Sequence, residues 1–267
     1  MPFPLSDRAV LSVSGPEAKS FLQGLVTNDV TRLAPGQPLY AALLTPQGKI
    51  LFDFLLHDGA ADVLIDCSAD AAPALLKRLT MYRLRAKVEL AQRPDLTVTW
   101  SPETFDGAAA DPRVAPLGSR KIVAGTGLTG VCGTYLGNRL LLGVPENGDF
   151  GSDKMFALDA GLDELHGVSF DKGCYVGQEL TSRMKHRSTA RRRLLPIAAA
   201  ADGQLPPAGT DIRSGQTSLG EITSTYGVRG FASIRLDRLA EAQSPFHAGD
   251  TIVTVTKPAW LTGQSGT

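Results

Sequence analysis

Cys174 stands in the stretch Lys172-Gly-Cys-Tyr-Val-Gly-Gln-Glu179, between a lysine and two glycines and just ahead of a basic run. A thiol acts as a nucleophile or metal ligand only as the thiolate, and a neighbouring cation such as Lys172 favours that form. Gly173 and Gly177 allow positive φ or close approach of the backbone to a ligand, which suits a bent, half-exposed loop. Gln178 offers both donor and acceptor, and Glu179 can orient Lys172 or take up a proton. The same residues also describe a helix entry whose glycines serve packing and whose cysteine is a small buried hydrophobe.

The other cysteines, Cys67 and Cys132, bring the number to three, widely spaced and without a C-x-x-C pair. That pattern argues against a disulfide framework, a zinc knuckle or a cluster held by this chain alone, and fits a reducing compartment. His166 has no second histidine at metal spacing and reads as a loop or cap residue. No resident metal is expected.

A second chemical signal is Asp53, a carboxylate inside the apolar run Ile50-Leu-Phe-Asp-Phe-Leu-Leu56. Such a group is costly unless it is paired or faces a cavity. An outward-facing residue on an amphipathic strand would explain it equally well. The third signal is charge: six cations lie between Arg183 and Arg193 (Arg183, Lys185, Arg187, Arg191, Arg192, Arg193) with no acid among them, in a chain of 27 basic and 27 acidic residues. A solvated face is one explanation. An anionic small molecule, an acidic protein or RNA phosphates are the others. Few aromatics interleave, so base stacking is poorly supported.

At 267 residues and 43% hydrophobic content the chain is long enough for one large or two to three small domains with ample core. No apolar run approaches the ~20 residues of a membrane span. The start, Met1-Pro-Phe-Pro-Leu-Ser-Asp-Arg8, has neither a long apolar region nor an Arg/Ser-rich presequence pattern, which leads us to expect a cytoplasmic protein.

The elements that must position these residues follow from period and punctuation. Residues 9–13 alternate as a strand, and Ser14-Gly-Pro-Glu17 has capping-box spacing for a helix carrying Ala18, Leu22 and Val26 on one face. Residues 39–44 and 49–56 form a hairpin around the turn 45–48. Residues 62–66 make a further strand, and Ser68 is placed to cap a helix over 69–79 with Pro73 in its first turn. Residues 96–100 alternate again, and the Ala/Pro/Asp/Gly-rich segment 101–118 reads as a loop at a subdomain seam. After Pro196, short strands between Gly and Pro turns predict a small β-barrel. The fold class is α+β, with a body over residues 1–190 and a barrel over 191–267.

Lys172-Gly-Cys-Tyr-Val-Gly-Gln-Glu179 resembles the K-G-C-[FY]-x-G-Q-E signature of the YgfZ family, folate-binding iron–sulfur cluster assembly proteins related to the glycine-cleavage T-protein. The opening strand, Gly15-Pro16, Phe21-Leu-Gln-Gly-Leu25 and Thr27-Asn-Asp-Val30 are similar to the start of that fold. The resemblance implies a body around a central folate-sized opening closed by a C-terminal barrel. It also implies tetrahydrofolate as cofactor and iron–sulfur proteins or assembly factors as partners, with a role extending to enzymes that modify tRNA. It assigns the functional chemistry to Cys174 with Lys172. Asp53 becomes a pterin-site acid, and Asn28, Arg139, Tyr175, Gln178, Glu179 and Arg187 become further cofactor-binding candidates. One departure stands out. The T-protein carries R-[LI]-E-x-G, whereas Leu141 occupies the glutamate position between Arg139 and Gly143. That argues against aminomethyl transfer. A folate-dependent one-carbon transferase and an RNA-contacting accessory protein stay open as alternatives.

Overall fold

The computed structural model describes residues 2–125, 133–187, 191–200 and 203–261. It opens with β1 (Phe3–Pro4), β2 (Arg8–Ser14) and helix α1 (Ala18–Gln23). The hairpin β3 (Leu39–Leu44) and β4 (Ile50–Asp58) then leads to β5 (Asp62–Ser68), α2 (Ala72–Arg83) and β6 (Glu89–Gln92). Next come β7 (Leu96–Ser101), β8 (Ala109–Ala110), β9 (Ser119–Ala124), α3 (Gly133–Leu142), α4 (Asn147–Phe150) and α5 (Gln178–Arg187). The C-terminal part holds β10 (Arg192–Ala199), β11 (Asp211–Ser214), β12 (Thr217–Tyr226), β13 (Arg229–Arg235), α6 (Leu236–Glu241), β14 (Phe246–Ala248) and β15 (Thr251–Val255).

These strands make two antiparallel sheets, ordered β3-β4-β5-β2-β6 and β1-β7-β9-β8, and a closed barrel ordered β10-β13-β12-β11-β14-β15. Segregated helices and antiparallel sheets are the expected α+β layering. β4 is buried from Ile50 to Leu56 because both of its faces are covered. Phe52, Phe54 and Leu56 pack with Leu22, Leu75 and Leu79 under α1 and α2. Ile50 and Leu55 join Tyr40, Trp100, Tyr135 and Leu140 in the central core. Asp53 shares that inner side.

Three local expectations change. Glu17 makes no side-chain cap on α1; its Oε2 accepts from the Lys87 N–H at 3.0 Å, so it ties the helix start to a distant turn. Ser68 ends β5, and α2 begins four residues later without a side-chain cap, Pro73 sitting in its first turn. The segment 101–118 is not a seam. β7 before it pairs along its length with β9 after it, and β8 inside it joins the same sheet. The tail from Gly263 lies outside the described residues.

Candidate functional site

The signature loop is held at both ends. The Lys172 side chain is buried and its Nζ donates to the carbonyls of Gln23 (2.7 Å), Val26 (2.7 Å) and Asn28 (2.8 Å), where the chain leaves α1. The ammonium also lies 5.1 Å from the Tyr175 ring centroid. Burial pushes its pKa down to about 8, with Asp29 pulling the other way. This corrects its expected role: an ammonium has three N–H donors, and all three are spent on backbone carbonyls, leaving none for a Cys174 thiolate. Lys172 anchors the loop instead.

On the other side Gly177 adopts φ +84° against the 45–48 turn, where a Cβ would stand 2.5 Å from the Thr45 carbonyl oxygen. Gly173 has open space around it, so only one of the two glycines is required by close approach. Between the anchors Cys174 is exposed, whereas Cys67 is buried and its thiol is pushed up to about 12 by burial. Cys132 lies outside the described residues. Tyr175 is buried, half-buried Gln178 opens α5 with its N–H on the Tyr175 carbonyl (3.2 Å), and Glu179 is exposed in the first helical turn. The Arg187 side chain is outside the described set.

Asn28 is a brace. Its Nδ2 donates to the carbonyls of Tyr40 (2.7 Å) and His166 (2.8 Å), and its Oδ1 accepts from the Asp29 N–H (2.8 Å). With both amide protons committed to backbone, Asn28 is not free to read a cofactor through them. The basic run is likewise partly spent: Lys185 pairs with Asp163 at 2.9 Å, and buried Arg193 pairs with Glu164 at 2.7 Å and donates to the Leu158 carbonyl. The field available to RNA is smaller than the bare sequence suggests.

Charge pattern alone did not reveal the interior network. Asp66 accepts from Arg8 (2.6 Å) and Arg120 (3.0 Å), and Asp111 from Arg113 (2.7 Å) and Arg120 (3.1 Å). Glu146 meets Arg113 at 2.8 Å, with Arg120, Arg8 and Arg139 at 3.6, 3.7 and 3.9 Å. The Tyr135 hydroxyl bridges Arg120 and Glu146. Arg139 also bonds Asp149, whose other oxygen accepts from Ser224 of β12 at 2.6 Å, so the network reaches the barrel. Arg139, offered as a cofactor ligand, is thus a buried strut between body and barrel. Four arginines face Asp66, Asp111, Glu146 and Asp149, which balances the charge. Beside them Asp53 accepts from the Tyr40 hydroxyl at 3.1 Å, and burial, then the charge of Glu146, push its pKa up to about 6. One signal could have found the network: Asp66 interrupts Val63-Leu-Ile-Asp-Cys67 as Asp53 interrupts β4.

An opening of 310 Å³ lies at the edge of this network, lined by Asp7, Arg8, Asp70, Leu136, Glu146 and Tyr226 among others. It draws on the N-terminal strands, α3 and the barrel together. Asp53 does not line it. Leu141 is 67% exposed, so a glutamate there would face solvent rather than this opening.

Residues 191–263 match the family model described as CAF17, C-terminal beta-barrel domain. The mitochondrial iron–sulfur cluster assembly factor IBA57 of Homo sapiens is 35% identical over 287 residues, covering 92% of this chain and 79% of the human one. The chain belongs to the IBA57 family. The Mus musculus IBA57 is 32% identical, with 97% and 84% covered. A Neurospora crassa IBA57 homologue is 32% identical over 243 residues, and there the match spans 78% of this chain and 55% of the relative. In fold, the chain is similar to the glycine cleavage system aminomethyltransferase T of Bartonella henselae, at TM-score 0.73 and 15% identity, covering 97% of this chain and 86% of that one. The family is therefore IBA57, related to but distinct from YgfZ. The cytoplasmic expectation is overturned, since these IBA57 relatives are named as mitochondrial proteins.

Proposed function

We propose that this chain acts in iron–sulfur cluster assembly through Cys174, which engages a cluster, a sulfur species or a partner thiol during transfer. The observation that carries this reading is an exposed thiol on a loop anchored two residues before it by Lys172 and three residues after it by Gly177. Such anchoring presents the sulfur in a fixed place at little entropic cost when a partner arrives. The IBA57 relatives are named for this process. The test is complementation of a cell lacking its own IBA57, scored by the activity of its iron–sulfur enzymes. Cys174→Ala should fold with an unchanged denaturation midpoint and restore nothing; full restoration by that variant overturns the reading.

A second reading concerns tetrahydrofolate at the 310 Å³ opening, a volume at the lower end of ordinary ligand sites. Glu146 lines the opening, and its Oε2 lies 3.7 and 3.9 Å from Arg8 and Arg139, so this carboxylate can accept from the N–H groups of a pterin, and Tyr226 and Leu136 offer apolar surface. Arg8 and Arg139 are already neutralised, and Asp7 and Asp70 repel the glutamate tail, so the fit is to the pterin half. Calorimetric titration with tetrahydrofolate tests it beside Leu136→Trp, which fills the opening. Saturable heat lost in the variant supports the site, and no heat from the unmodified protein removes it.

A further inference from the structure

Between Lys77 and Lys87 the chain carries five cations, Lys77, Arg78, Arg83, Arg85 and Lys87, and no acid. Among the described residues none of these five has a carboxylate within ion-pair distance, unlike the arginines of the interior. Set among them are two large apolar side chains facing water, Met81 (61% exposed) and Leu84 (87% exposed).

Leu84 is the more telling of the two. It terminates α2 at φ +45°, in the left-handed half of φ space that a branched side chain avoids at a cost of roughly 1–2 kcal/mol. The second residue of such a positive-φ turn, closed by the Ala86 N–H on the Arg83 carbonyl, is normally glycine, asparagine or aspartate. A leucine here strains the backbone and leaves its own side chain in solvent, so neither packing nor helix termination accounts for it. Arg83 suits the negative end of the α2 dipole, but Arg85 and Lys87 lie beyond the helix and gain nothing from it.

The tip is held firmly. The Ala86 N–H bonds the Arg83 carbonyl (2.7 Å), the Val88 N–H the Ala86 carbonyl (2.9 Å), and the Lys87 N–H the Glu17 side chain (3.0 Å). Beneath it Gly15 takes φ +102°, and a Cβ there would stand 2.5 Å from the Lys87 carbonyl oxygen. The result is a shallow, open groove of 700 Å³ between Ser14–Pro16 and Arg83–Glu89, lined by three cations, Arg83, Arg85 and Lys87, with one acid, Glu89, at its end.

We propose that this groove docks an acidic segment of a partner protein, bound in extended form, with an apolar side chain packed on Leu84 and carboxylates on Arg83, Arg85 and Lys87. Backbone strain kept at an exposed site is characteristic of binding surfaces, and the cationic rim selects the partner's charge. A lipid surface would also attract these cations; we commit to the acidic segment because its side chains can enter the recess between Ser14–Pro16 and Arg83–Glu89, and the vesicle measurement below separates the two.

The probe is a fluorescein-labelled synthetic peptide of alternating glutamate and leucine, titrated into the full chain and followed by anisotropy. Saturable binding should weaken as salt rises from about 50 to about 300 mM. Leu84→Gly relieves the positive φ, so it should unfold at no lower denaturant than the parent while binding about tenfold more weakly. Arg85→Glu should weaken binding further with no change in folding. Absence of saturable binding, or equal binding by Leu84→Gly, overturns the proposal. So does Leu84-dependent sedimentation with phosphatidylserine-containing vesicles, which would assign the surface to a membrane.

Discussion

Gly177 and Gly48 meet backbone to backbone. A Cβ on Gly177 would lie 3.1 Å from the Gly48 Cα, and a Cβ on Gly48 would lie 3.3 Å from the Gly177 carbonyl oxygen. Both take positive φ, +84° and +79°, so each turn requires its glycine twice, for conformation and for contact. The signature loop is thereby seated on the β3–β4 hairpin.

Gly177→Ala should therefore destabilise the protein by about 1–3 kcal/mol, through a disfavoured φ and a Cβ pressed on the Thr45 carbonyl. Gly173→Ala, with nothing within 4 Å, should change stability little. Urea denaturation of the two variants side by side checks the contrast.

Lys172→Met keeps the length of the side chain but removes the donor to three carbonyls. Leaving buried carbonyls without partners costs about 1–3 kcal/mol each before relaxation or entering water offsets it, so a net loss of about 2–4 kcal/mol is expected. Hydrogen exchange should quicken at residues 23–28 and 172–176. Unchanged exchange there would mean that the anchor is dispensable.

Alkylation separates the thiols. Iodoacetamide should modify exposed Cys174 in the folded protein well before Cys67, which is 1% exposed and held as the thiol by a pKa of about 12. Peptide mass mapping over time gives the two rates.

Asp53 sets a pH dependence with a definite sign. Its pKa is about 6 when folded and near 3.8 when free, so between those values the folded state binds more protons. Stability from this group consequently falls as pH rises from about 4 to about 6 and stays lower above that. Asp53→Asn should gain up to ~3 kcal/mol at neutral pH, and the gain should vanish near pH 4. Denaturant midpoints across that range measure it.

Glu146→Gln should act in the opposite direction. It leaves Arg8, Arg113, Arg120 and Arg139 facing three carboxylates in the interior, and breaking such a set costs about 3–5 kcal/mol. The midpoint of urea unfolding at neutral pH is the readout.

Alternation in residues 9–13, 39–44 and 96–100 and the glycine-punctuated strands after Pro196 made most of the sheets and the barrel legible in the sequence, because period-2 burial is a local property of the chain. The rarity of Lys172–Glu179 as a string likewise pointed to Cys174 from sequence. What Lys172 does was not legible: its partners, the carbonyls of Gln23, Val26 and Asn28, lie some 150 positions away and have no side-chain signature. The same holds for Arg8, Asp66, Arg113, Arg120, Arg139 and Glu146, each an ordinary charged residue in its own segment. Only when three layers close on one another does their charge leave water, and desolvation then makes every partner obligatory. Residue type and spacing determined the strands and the barrel and singled out Cys174; long-range packing alone decided which charges are structural, which glycine is indispensable and where Leu84 faces water.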